Sequence, residues 1–343
     1  MADNIIKKAN WLELLFDLIF VYAVSKATHI LAHLHDGHIG IAQYAIFMLV
    51  MVPIWWVWTG NTLFVTRFDT EDTGQRLLTL LTMLMVVFWT SFINADFDAY
   101  YHGYLLFYVA IRLILVLMYW NAARKNPLAA PIALRLGSGF SVGLGVALLS
   151  LFFEPPLRYI VLYLGIGIEI ITPLLCRHAL RELPVKSHHL PERYGLLTII
   201  LLGESVILLA TNLSETDWSI VTIITAILGF TLIASLWWLY FELMEKHVLG
   251  KNLGAGQRII YGHLFIYTGL SSIAVFIGYA ITLELTVITD YLWLNLFAIG
   301  MLITGLLISF GWQRIAHRVH LKLYSILLSS IILLMGIAVF VQR

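Results

Sequence analysis

The sequence predicts an all-α polytopic integral membrane protein, with about eleven transmembrane helices in two parallel-related repeats. Three observations carry that reading: an apolar composition, a series of segments each long enough to span a bilayer, and an alternation of charge between successive loops. Of 343 residues, 60% are hydrophobic and 12% charged, with a mean hydropathy of +0.89. A soluble domain carries roughly 25% charged residues, so the chain is too apolar for one globular core. The net charge of +1 includes no basic patch suited to nucleic acid. A single cysteine, Cys176, excludes an internal disulfide and a cysteine-based metal cluster.

A spanning helix needs about 20 mostly apolar residues. Qualifying segments run over 11–34, 39–66, 75–95, 102–121, 133–152, 157–178, 191–212, 217–244, 258–281, 290–311 and 319–341. The first follows Lys7 and Lys8, as a signal peptide would. Its apolar run is too long and carries Glu13, Asp17 and Lys26, so it reads as a retained span. The runs are continuous and lack the alternation of barrel strands. Helices satisfy every backbone polar group within the segment, as lipid requires.

The loops predict orientation. Lys7, Lys8, Arg67, Arg76, Arg124, Lys125, Arg135, Arg177, Arg181, Lys186, Arg193, Lys246, Lys251, Arg258, Arg314, Arg318 and Lys322 fall on one side, with only Arg158 and Arg343 on the other. The alternate loops are acidic: Asp96 and Asp98, Glu215 and Asp217, Glu284 and Asp290. The positive-inside rule then places the N-terminus in the cytoplasm and the C-terminus outside.

Two blocks recur at a common offset of 182 residues: IWWVWTGNTLF from Ile54 with LWWLYFELMEK from Leu236, and GQRLL from Gly74 with GQRII from Gly256. Six spans separate equivalent positions, so the halves run in the same direction, with a pseudo-axis along the membrane normal. The division falls between 1–185 and 186–343, the second half one helix shorter.

Ionisable groups inside spans cost about 2.5–3.5 kcal/mol each on insertion scales and are functional candidates by default. The set is Glu13, Asp17 and Lys26, then Arg112, Glu169, Glu204 and Glu242. At about 1.5 Å per residue, Asp17, Glu169, Arg112, Glu204 and Lys26 lie deep enough to meet near the bilayer centre. Each also has a structural reading. NWLE from Asn10 to Glu13 forms a capping box. Asp17 favours the positive helix end. Arg112 needs a carboxylate or a bound anion, with Glu169, Asp17 and Glu204 the available partners. Lys26 could carry a proton, and Glu242 could reach the interface. Glu204 sits mid-segment between Gly203, which permits close helix approach, and the Ser205 hydroxyl. It either keeps a proton or ionises against Arg112 or Lys26.

His29, His33, His35 and His38 gather near the outer end of the first span. The four-residue spacing of His29 and His33 suits a metal, but a water-facing cluster is the simpler reading, and no metal is assigned. Asp96 and Asp98 read as an acidic outer loop. Trp55, Trp56, Trp58, Trp237 and Trp238 read as packing or an interface belt, with an aromatic-lined cavity as the sharper alternative. Gly137, Gly139, Gly143, Gly145, Gly165 and Gly167 predict close helix contacts.

Two motifs carry a family resemblance: WLELLFDLIFVYAVSKATHIL, with Glu13, Phe16 and Asp17, and ERYGLLTIILLGESVI, with Glu192, Arg193, Tyr194, Gly195, Gly203, Glu204 and Ser205. Together they resemble the signature regions of the bacterial low temperature requirement protein A (LtrA) family, over essentially the whole chain. The resemblance implies a many-helix bacterial inner-membrane protein named for a cold-growth phenotype. It brings no established activity.

The function these readings favour is secondary transport, proton-coupled, with a buried charged site between the repeats. Glu204 and Asp17 would carry protons or hold substrate, with Glu13, Glu169 and Ser205 beside them and Arg112 and Lys26 setting their charge. The alternatives are a membrane-embedded enzyme or cofactor binder, and a sensor or structural component linked to low-temperature growth. The expected partners are the bilayer and a small molecule or ion of unassigned identity; a homo-oligomer is compatible, and the cofactor is unassigned.

Overall fold

The computed structural model describes residues 9–33, 38–68, 72–282, 288–315, 325–334 and 336. Among them there is no strand. The helices are α1 (Trp11–Leu31), α2 (Ile41–Phe68), α3 (Thr73–Thr90), α4 (Phe97–Lys125), α5 (Ala130–Leu149), α6 (Leu157–Leu175), α7 (Arg177–Glu182), α8 (His189–Ser214), α9 (Ile220–His247), α10 (Gln257–Thr282), α11 (Ile288–Phe310) and α12 (Trp312–Ile315). A further apolar helix, α13, spans Ser325–Leu334. Among the described residues, ten helices are long and apolar enough to cross a membrane, each overlapping a segment expected from hydropathy. The protein is therefore an all-α multi-pass membrane protein. The last expected segment, 319–341, is described only in part. Lys7, Lys8, His35, Glu284, Arg318, Lys322 and Arg343 lie outside the described residues.

Local chemistry accounts for the helix ends. Asn10 and Glu13 form the expected capping box: Asn10 Oδ1 accepts from the Glu13 amide at 2.9 Å, and Glu13 Oε2 accepts from the Asn10 amide at 2.9 Å. Asp72 caps α3 by accepting from the Gln75 amide, and its other oxygen receives Lys125 Nζ at 2.7 Å, tying the end of α4 to the start of α3. Asp96 caps α4 and Ser219 caps α9. Pro53 and Pro173 lie inside α2 and α6 without ending them, which membrane helices tolerate.

The chain divides into two compact units. Unit 1 comprises residues 1–26, 52–193 and 252–257; unit 2 comprises 27–51, 194–251 and 258–343. Within unit 1, α3, α4, α5 and α6 pack in chain order. A Cβ on Gly143 would lie 2.7 Å from the Gly165 carbonyl, and one on Gly165 would lie 2.5 Å from the Gly143 carbonyl, so α5 and α6 touch backbone to backbone. Gly139 meets Thr172 in the same seam, whereas Gly145 and Gly167 face open space. The 252–257 segment is held to unit 1 by Arg67 donating to the Ala255 carbonyl at 2.7 Å and Gln257 donating to the Pro173 carbonyl at 2.7 Å. Gly256 there has a φ of 73°, a conformation that only glycine adopts cheaply.

In unit 2, α10 is enclosed along its length, with nearly every residue from Ile259 to Ile281 buried. It meets α11 at Gly262, Gly269 and Gly305, where a Cβ would strike opposing backbone within 3 Å.

Candidate functional site

Two fully buried charge centres lie in unit 1, and α2 supplies an indole to each. Trp56 and Trp58 are two residues apart, so they project about 200° apart around the helix axis. Trp56 Nε1 donates to Glu169 Oε2 at 3.0 Å, and Trp58 Nε1 donates to Asp17 Oδ1 at 2.8 Å. The indoles read from sequence as packing or an interface belt thus bind carboxylates. In the proposed repeat Trp56 aligns with Trp238, which is 59% exposed, and Trp58 aligns with Tyr240.

The first centre joins α4 to α6. Arg112 Nε lies 2.6 Å from Glu169 Oε2, with both side chains 0% exposed. Tyr108 donates to the same oxygen at 3.1 Å. The guanidinium sits 5.1 Å from the Phe140 ring centroid and 5.6 Å from that of Trp56, adding cation–π attraction. Two glycines make room: a Cβ on Gly60 would lie 2.6 Å from Arg112 Nη1, and one on Gly143 would lie 2.4 Å from Glu169 Cγ. Of the three partners the sequence left open for Arg112, the structure pairs it with Glu169. Among the described residues, Arg112 Nη1 and Nη2 and Glu169 Oε1 have no hydrogen-bond partner.

The second centre joins α1 to the first turn of α8. Glu13 and Asp17 stand one helical turn apart on α1, and His189 and Arg193 stand one turn apart on α8. The two ladders face each other. His189 Nε2 lies 3.0 Å from Glu13 Oε2; Arg193 Nη2 lies 2.5 Å from Asp17 Oδ1, and its Nη1 lies 3.6 Å from Glu13. All four side chains are essentially sealed from solvent. Thr66 gives its hydroxyl hydrogen to the Thr62 carbonyl at 2.7 Å, leaving an acceptor 3.1 Å from His189 Nδ1. Glu13 therefore caps α1 and pairs with α8 at once; the two readings are compatible.

A cavity of about 360 Å³ opens beside this centre, walled by α1, α2 and α3. Glu13, Asn61, Gln75, Arg76 and Thr79 supply its polar lining, and Trp11, Phe16, Val65 and Leu80 much of its apolar lining. Asn61 is 4% exposed, and its Nδ2 has no hydrogen-bond partner among the described residues.

The remaining expected residues fall elsewhere. Lys26 is half-buried, with Nζ 5.6 Å from the Tyr22 ring centroid. Glu204 and Ser205 belong to unit 2; Glu204 is half-buried, and the buried Ser205 hydroxyl donates to the Leu201 carbonyl at 3.2 Å. The expected close approach at Gly203 is not seen: no described atom lies within 4 Å of where its Cβ would be. Glu242 pairs with Lys246 one turn away. His29 and His33 are exposed, and His38 contacts Asp290 at 3.1 Å. Asp98, by contrast, pairs with Arg158 at 3.1 Å and accepts from Tyr159 at 2.7 Å.

Two residues of the second centre are not among the site candidates read from the sequence: Arg193 reads there as a loop charge within the second family motif, and His189 is not singled out. The available signal was the four-residue spacing of His189 and Arg193, a basic counterpart to Glu13 and Asp17.

Comparison with known proteins agrees with the motifs that frame this centre. The chain is 26% identical over 291 residues to an uncharacterized protein of Rhizobium meliloti (strain 1021), covering 78% of this chain and 68% of that one. No solved structure matches it at a significant level. The family model for the bacterial low temperature requirement A protein matches residues 8–342, nearly the whole length, and the chain belongs to that family, LtrA.

Proposed function

We propose that the protein is a secondary transporter that couples solute movement to protons. The observation that supports this most directly is the position of Glu13: the residue lines the cavity, and its carboxylate pairs with His189 and Arg193. Two carboxylates there face one guanidinium and one imidazole, so acid and base groups stand in contact beside the cavity, the arrangement that proton coupling requires. A purely structural role would be served as well by apolar packing, because buried ion pairs are weak stabilisers. Intramembrane charges more often mark substrate or proton paths. In this reading the Arg112–Glu169 pair is a second intramembrane charge site beside the first. Glu204 and Ser205, on the other half of the proposed repeat, and Lys26 remain candidates for the path.

The reading includes two parallel repeats, 1–185 and 186–343, and a bacterial inner-membrane location with the N-terminus cytoplasmic and the C-terminus outside. The cavity then faces the cytoplasmic end, where α1 and α3 begin.

The test is access. With Cys176 replaced by serine, Asn61→Cys is probed by a membrane-impermeant thiol reagent from each side of sealed vesicles. Transport by alternating access predicts labelling from both sides, with the ratio shifted by Glu13→Gln. Labelling from one side only, unchanged by Glu13→Gln in a folded protein, would refute the proposal.

A further inference from the structure

The cavity beside Glu13 has a second property that transport does not require. Its walls belong to helices whose outer faces are apolar and exposed. On α1 these residues are Trp11, Leu15, Leu18 and Tyr22; on α3 they are Leu77, Leu80, Leu81 and Leu84. Residues three, four and seven apart share a helix face, so each set forms a lipid-facing stripe. Trp11, 88% exposed, and Leu80, 43% exposed, belong to those stripes and also line the cavity. The mouth is therefore rimmed by lipid-facing residues, at the end of the bundle where α1 and α3 begin, the level at which phospholipid head groups sit.

The polar chemistry inside is one-sided. Glu13 is already engaged by the Asn10 amide, His189 and Arg193. The buried Asn61 Nδ2 donor has no partner among the described residues. Arg76, exposed on the lining, pairs with no carboxylate among the described residues. Uncommitted donors and one positive charge call for an acceptor-only, negatively charged group. The apolar walls of Phe16, Val65 and Leu80 call for a hydrocarbon attached to it.

We infer that this cavity binds the anionic head group of a membrane phospholipid, entering sideways between α1 and α3. Arg76 pairs with the phosphate at the mouth, Asn61 donates to an oxygen deeper in, and the acyl chains lie along the exposed stripes. The inference stands apart from the transport reading, because a lipid can occupy the cavity whether or not a solute crosses the membrane.

The purified full-length protein is equilibrated with phosphatidylglycerol or phosphatidylcholine of matched chains, and retained lipid is counted by native mass spectrometry. Phosphatidylglycerol should be retained preferentially. Arg76→Gln should lower that retention about fivefold, the contribution of one basic group near an anionic head, and Arg76→Lys should restore most of it. Arg76 is exposed, so its replacement leaves the fold intact. Asn61→Ala should lower retention of phosphatidylglycerol while leaving that of phosphatidylcholine unchanged. Equal retention of the two lipids, or an Arg76→Gln protein that binds like the wild type, would overturn the inference. So would displacement of phosphatidylglycerol by an equal concentration of glycerol 3-phosphate, which would make the site one for soluble anions.

Discussion

Replacing Glu169 with leucine would strand the Arg112 guanidinium in a space sealed from water. Both side chains are 0% exposed and their contact is 2.6 Å. Removing one partner of such a pair costs about 3–5 kcal/mol, most of it from the uncompensated charge. Glu169→Gln should cost less, about 2 kcal/mol, because the amide oxygen still accepts from Trp56 and Tyr108 and still faces Arg112 Nε. Replacing both residues with leucine removes the charge altogether, leaving only the lost indole and phenol acceptor and some packing mismatch. The double variant should therefore be more stable than Glu169→Leu alone, with a coupling of about 3 kcal/mol. The assay is denaturant unfolding of the four purified proteins, read as a double-mutant cycle. If the two leucine changes simply add, Arg112 and Glu169 do not depend on each other and the reasoning from burial fails.

The α5–α6 seam makes a sharper contrast: Gly143→Ala should lose roughly 1–3 kcal/mol by driving a methyl into Glu169 and the Gly165 backbone, while Gly145→Ala, facing open space, should change stability by less than about 0.5 kcal/mol in the same unfolding assay. Trp58→Phe should cost about 1.5–3 kcal/mol by removing the indole hydrogen bond to Asp17, whereas Trp237→Phe, half-exposed, should be silent in thermal unfolding. Cys176 lies between α6 and α7, where burial pushes its thiol pKa up; it should react slowly with maleimide at neutral pH, and Cys176→Ser should leave the unfolding midpoint unchanged, giving the cysteine-free background that the access test needs.

Much of the architecture was legible in the sequence because bilayer physics leaves little choice. A run of about 20 apolar residues must be a helix with its backbone bonded internally, so ten spans could be placed by hydropathy. The capping box at Asn10–Glu13 was legible too, since it depends only on residues three apart. Tight glycine contacts were only half legible. Gly143 and Gly165 meet across a seam while Gly145 and Gly203 do not, because spacing says that a close approach is allowed and not which face a neighbour takes.

By itself, then, the sequence determined the fold class, most of the spans and the small set of carboxylates that membrane burial makes expensive. Only the tertiary structure decided their partners. Arg193 looked like a loop charge and lies sealed against Asp17; His189 drew no attention and faces Glu13; Trp56 and Trp58 looked like an aromatic belt and bind two different carboxylates. Glu204, which stood out most in the linear sequence, is half-buried in unit 2. The physical reason is that hydropathy is a property of a segment, whereas compensation of a buried charge is a property of a pair. The residues that compensate Glu13 and Asp17 are 176 positions away along the chain.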